Sequence, residues 1–128
     1  MKQLLLICAV VALVGCGPTI SDPIVEKAIR VELKIPTGKL TRADLAKVTE
    51  LDLTATLITD AGLKEVAKMQ QLKGLTLVGT KITDAGLKEL AKLQKLEYLY
   101  MDGTKVTNEG KLELQKALPK CIIPAQSP

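Results

Sequence analysis

An α/β solenoid is the fold class this sequence predicts, with a short parallel sheet on its concave side, helices on its convex side and a helical cap at the N-terminal end. Three observations predict it. Residues 59–65, Thr-Asp-Ala-Gly-Leu-Lys-Glu, return unchanged at 83–89, 24 positions later. The same interval generates apolar columns: Leu51, Leu75, Leu99 and Ile123; Leu53, Leu77 and Met101; Ile58, Ile82 and Val106. Within each unit the apolar spacing switches from alternation to the helical interval. A fixed period of this length marks an array in which each unit stacks on its neighbours.

Residues 1–15 read as a secretory signal, with Lys2 followed by an apolar run over 4–14. That run has 11 residues, whereas a membrane-spanning helix needs about 20. Leu13-Val14-Gly15-Cys16 closes it and resembles the lipobox of bacterial lipoproteins. The resemblance implies cleavage before Cys16, acylation there, and a protein held to the outer face of a membrane in the cell envelope through its lipid. An ordinary signal peptide with an incidental cysteine is the alternative. Residues 16–21 form a lipidated tether.

Asp22-Pro23 is a helix start, Asp as N-cap and Pro at the first helical place. Ile24, Val25, Ala28, Ile29 and Leu33 follow at helical spacing until Ile35-Pro36. Residues 22–35 read as a helix shielding the first repeat's open edge. Residues 40–45 echo the start of a repeat and complete a shortened half-repeat, so 22–47 make the N-terminal cap region.

Full repeats follow at 48–71, 72–95 and 96–119, with strands expected near 50–54, 74–78 and 98–101. Leu51 and Leu53 point one way, Glu50 and Asp52 the other. Ala55, Gly79 and Gly103 take the turn, and Thr59, Thr83 and Thr107 sit where helix N-caps belong. Helices are expected near 60–69, 84–93 and 108–117, ended by Leu118-Pro119. Residues 120–123 add a terminal strand, and 124–128 a disordered tail.

These units resemble leucine-rich repeats of the ribonuclease-inhibitor-like subtype, over about residues 40–123. The wording TDAGLKEL resembles repeats of bacterial lipoproteins and extracellular proteins. Two departures stand out. Thr56, Thr80 and Thr104 occupy the ladder position where Asn is commoner, and a hydroxyl offers fewer bonds than an amide. Lys111 stands where Leu63 and Leu87 would recur, which predicts a frayed or shifted third helix anchored by Leu112 and Leu114.

The chain holds 128 residues, a single-domain length, and carries a net charge of +4, too mild to argue for nucleic acid. With Cys8 leaving in the signal and Cys16 consumed by lipid, Cys121 stands without a disulfide partner and is expected as a buried thiol. Lys64, Lys68, Lys88, Lys92 and Lys116 interleave with Glu65, Glu89 and Glu113 as a solvated helical face; adhesion to anionic lipid or wall polymer is the functional rival.

Histidine is absent, which removes the commonest general base and metal ligand, and no phosphate loop or serine nucleophile motif occurs. The column Asp60, Asp84 and Asn108 is explained by helix N-terminal placement rather than by a cation ladder. No enzyme, metal or cofactor is expected. The candidate site is a binding face. Tyr98 and Tyr100, the chain's only aromatic residues, are two apart on the outward side of the third strand, beside Glu50, Asp52, Gly74 and Thr76. The expected role is non-catalytic recognition of a protein partner. Carbohydrate or cell-wall binding and self-association as a structural envelope component are the alternatives.

Overall fold

Asp22 begins the first helix, α1 (Pro23–Leu33), by accepting hydrogen bonds from the amides of Ile24 and Val25. The computed structural model describes residues 20–124. The expected signal peptide, the cleavage site, Cys16 and residues 125–128 of the tail lie outside the described residues. Packing begins earlier than expected: Ile20 is buried, and Ser21 donates to Glu65 at 2.7 Å. The helix also ends before Ile35. Lys34 adopts a left-handed conformation, and the amides of Lys34 and Ile35 close the last turn.

A five-residue helix, α2 (Arg42–Ala46), follows and is fixed by a capping box between Thr41 and Asp44. Then come β1 (Glu50–Asp52), α3 (Asp60–Val66), β2 (Gly74–Thr76), α4 (Asp84–Leu90), β3 (Tyr98–Tyr100) and α5 (Asn108–Ala117). The three strands form a parallel sheet in chain order, with Leu51 opposite Leu75 and Leu75 opposite Leu99. The 24-residue columns are therefore lateral neighbours. Helix α1 packs against β1 and α3, α3 against α4, and α4 against α5.

The strands are three residues long, not the five, five and four expected, although ladder bonds continue from Leu53 to Thr76 and from Ala55 to Val78. The chain turns out of the sheet at Ala55, Gly79 and Gly103, all at positive φ. Gly79 and Gly103 accept this freely, whereas Ala55 at φ 56° carries the cost of a Cβ in the left-handed region. Ala55→Gly is accordingly expected to raise stability by up to about 1 kcal/mol, read as a higher urea midpoint at unchanged m-value. The terminal strand shrinks to a single bridge from Tyr98 to Ile122, leaving Ile122 exposed and Ile123 against the core.

Helices α3 and α4 stop three residues short of the expected ends, at Val66 and Leu90, and tight turns follow. Helix α5 is neither frayed nor shifted. It runs ten residues from its N-cap Thr107, in step with Thr59 and Thr83. Lys111 stays in the leucine column, its methylene stem filling the buried place, and Leu114 is buried. Leu112, expected as an anchor, is 61% exposed. The hydroxyls of Thr56, Thr80 and Thr104 each donate to the carbonyl three residues back, at 2.7–2.8 Å, closing their own turns.

Consecutive units are also laced by carboxylates. Asp60 accepts from the amide and hydroxyl of Thr83, and Asp84 accepts from those of Thr107. Each aspartate thus satisfies a backbone donor at the start of the next helix. Gly86 and Gly110 leave the room, since a Cβ on either would overlap the aspartate of the preceding unit. Thr59 makes no side-chain cap bond.

Asp60→Ala is expected to cost about 0.5–2 kcal/mol in urea unfolding, and adding Thr83→Ala should cost less than the two single losses together, because the hydroxyl bond to Asp60 is shared while the cap bond from the Ala85 amide is lost only with Thr83. The hydroxyl and amide of Thr107 hold the Asp84 carboxyl below its usual range. A depressed folded value contributes stability that is present above the unfolded value, near 3.9, and is lost as pH falls through the folded one. The urea midpoint should therefore drop on acidification below about pH 4, and less so in Asp84→Asn.

Candidate binding face on the sheet

Alternation places Leu51, Leu75 and Leu99 in the core, and Glu50, Asp52, Thr76, Tyr98 and Tyr100 on the opposite side of the sheet. Glu50, Gly74 and Tyr98 form one lateral column; Asp52, Thr76 and Tyr100 form the next. The structure thus brings all five expected residues onto one face.

Their arrangement is more specific than a row of exposed side chains. Tyr98 lies across Gly74 and donates its hydroxyl to Glu50 at 2.7 Å, two strands away. The span is about 9–10 Å, twice the interstrand spacing, and a phenol covers it only if the intervening position is empty. A Cβ on Gly74 would overlap the far end of the Tyr98 ring. Gly74 is buried in a strand whose neighbours on that column are exposed or half-exposed. Sequence reasoning missed this role of Gly74; its signal is a glycine inside a strand, flanked by bulky residues in both adjacent repeats.

The rings of Tyr98 and Tyr100 sit 5.7 Å apart at 51°, a tilted aromatic pair. Tyr100 is the more open of the two. Asp52 accepts from both the amide and the hydroxyl of Thr54, at 2.9 and 2.6 Å. Those bonds hold its carboxyl below the usual range, so it is ionised at neutral pH. The Tyr98 phenol is raised, chiefly by its bond to Glu50 and then by burial and the Glu50 charge. The face therefore presents a neutral phenol, pinned flat, beside fixed negative charge.

Two substitutions should expose this geometry in a spectrophotometric phenol titration. Glu50→Gln removes the charged acceptor, and Gly74→Ala pushes the ring off it. Both should move the raised Tyr98 transition downward, with the fold retained. An unmoved titration would mean that the phenol does not rest on Glu50.

Other surfaces offer less chemistry. Space of about 390 Å³ between α4 and α5 is lined by Leu87, Ala91, Leu114 and Ala117 with Asp84, Lys88, Glu109 and Glu113. Among the described residues no group of three or more Cys, Asp or Glu side chains could hold a metal ion, and no helix is long and apolar enough to cross a membrane. Cys121 is buried, and burial pushes its thiol up to about 11, which keeps it protonated and unreactive.

No family model matches the chain, and no curated protein matches it. Among solved structures, it is similar to an internalin from Listeria monocytogenes, at 24% identity and a TM-score of 0.64, over 80% of this chain and 28% of that one. It is also similar to a structure of the CBM51-2 and INT domains of Clostridium perfringens ZmpB, at 28% identity and a TM-score of 0.51, over 63% of this chain and 17% of that one. The chain spans about a quarter of the internalin's length. Internalins are leucine-rich-repeat proteins, and the mixed helices and short parallel sheet fit that α/β fold.

Proposed function

We propose that this chain is a membrane-tethered, non-catalytic recognition protein of the bacterial cell envelope. In this reading the repeats form a solenoid of the ribonuclease-inhibitor-like subtype, capped by residues 22–47. The concave sheet binds a protein partner, and lipid on Cys16 anchors the whole. The observation that carries the binding role is the pinned aromatic pair. Tyr98 and Tyr100 are the chain's only aromatic side chains, and both stand on the open face of the sheet. Tyrosine gives large contact area at modest entropic cost, and the Glu50 bond lowers that cost further by holding Tyr98 in place before a partner arrives. The likeness to an internalin supports a protein-binding repeat domain. The run ending at Cys16 supports the anchor by its resemblance to a lipobox.

Crosslinking in the native envelope tests the binding role. Tyr98→Ala with Tyr100→Ala should abolish capture of the partner while leaving the circular dichroism spectrum unchanged; undiminished capture by the folded variant overturns the reading. Retention on wall polymer that free sugar abolishes would assign the same face to carbohydrate instead. Cys16→Ala should release the protein from membranes, and its persistence there would refute the lipid anchor.

A further inference from the structure

We infer that the outward face of the cap helix α1 is a second contact with the membrane, which seats the domain on anionic lipid headgroups with its N-terminal end down. This rests on the lipid anchor proposed at Cys16. Three features of the cap point to it.

The first is the length of the leash. Ile20 is already packed into the core and Ser21 is bonded to Glu65, so the first packed residue stands four positions after Cys16. Four peptide steps separate Cys16 from Ile20, which reach at most about 14 Å. A lipid on Cys16 therefore keeps the start of α1 within about 14 Å of its attachment point, about twice the thickness of one headgroup layer.

The second is the face itself. Val25 and Ile29 are buried on the inner side of α1. On the opposite side, Lys27 and Val31 are exposed one turn apart, with Val31 70% exposed, and the exposed Lys34 follows at the left-handed C-cap. An apolar side chain flanked by two lysines is the arrangement that suits a headgroup boundary, where the methyls enter and the ammonium groups stay at phosphate level.

The third is the charge left over. Glu26 is held by Arg30, and Asp44 by Thr41 and Lys47. Among the described cap residues, Lys27, Lys34, Lys39 and Arg42 have no ionic partner, against Glu32 and Asp22, the latter bonded to the amides of Ile24 and Val25. Glu32 lies about 100° round the helix from Val31 and off the outward face. The binding face of the sheet has the opposite sign, with Glu50 and Asp52 and no cation at its strand positions. An anionic surface therefore attracts the cap and repels the sheet, and leaves the sheet open to a partner.

The test uses the full lipidated protein, reconstituted into vesicles of phosphatidylcholine with or without phosphatidylglycerol. A fluorophore is placed at Val31→Cys or at Leu112→Cys, Cys121 being buried, and a quencher is carried on the lipid headgroups. The two positions are about three helix spacings apart, or about 24–30 Å. In anionic vesicles, quenching at position 31 should exceed that at 112 several-fold. The contrast should vanish at about 1 M salt, where the screening length is about 3 Å, and in Lys27→Glu with Lys34→Glu read from the same two positions. Equal quenching at both positions, or a contrast indifferent to salt and to charge reversal, overturns the proposal. Sedimentation separates the two readings: protein that stays out of the vesicle fraction refutes the anchor as well, whereas protein that sediments without positional contrast refutes only the seating.

Discussion

Leu75→Ala should lower the free energy of unfolding by about 2–5 kcal/mol, the largest loss expected from any single truncation in the sheet. Leu75 is fully buried, at the centre of β2, with Leu51 and Leu99 as its lateral partners. In a stack of repeats, stability is the sum of each unit's own terms and its interfaces with its neighbours. A cavity in the middle unit weakens interfaces with two full repeats, whereas one at either end weakens one such interface and a smaller contact with α1 or the Ile122 bridge. Domains of this size have roughly 5–15 kcal/mol in all, so the variant should populate unfolded molecules measurably at 37 °C.

The control is Leu112→Ala, which carries the same chemical deletion in the same period. Leu112 is 61% exposed, and its truncation should stay within about 0.5 kcal/mol. Urea unfolding distinguishes the two: a lower midpoint for Leu75→Ala, an unchanged one for Leu112→Ala. Comparable losses at both positions would mean that the last helix buries a different face.

That contrast marks what the sequence could and could not convey. Leu75 was legible because its column repeats in four units and alternates with polar neighbours, so strand, register and core face follow together. Tyr98 and Tyr100 were legible as a pair on the open face for the same reason. The bond from Tyr98 to Glu50 was not. It joins residues 48 apart through a gap created by a third residue, Gly74, and becomes visible only when the lateral column is built. The aspartate ladder was hidden differently. Asp60 and Asp84 sit in the first turn of a helix, where an acid is already explained by the helix dipole. Their bonds to Thr83 and Thr107 depend on how close one helix start lies to the next, which Gly86 and Gly110 decide. Strand length was overestimated because alternation continues through Thr54, while the backbone is already turning toward positive φ at Ala55.

Lys111→Leu should stabilise the protein, by about 1–3 kcal/mol, and the reason is the same column that made the fold legible. Leu63 and Leu87 occupy the two preceding places and are buried; Lys111 is buried in the third, 8% exposed. Its Nζ is buried with no hydrogen-bond partner. The stem fills the space of a leucine, which explains why α5 keeps its register, but the ammonium loses its hydration without recovering it from the protein. Leucine keeps the packing and removes that desolvation. For a domain of about 100 residues each kcal/mol shifts the melting temperature by roughly 4–8 °C, so a thermal scan resolves the effect easily. Lys111→Met isolates the cause, since it retains an unbranched chain of similar volume and drops only the charge. If Met matches Leu, the gain comes from the buried ammonium; if Met equals the wild type and Leu alone stabilises, it comes from branched packing against the neighbouring unit. A loss of stability in both would show that the ammonium is satisfied in solution, and the last repeat would then owe its register to that contact rather than to the aliphatic stem.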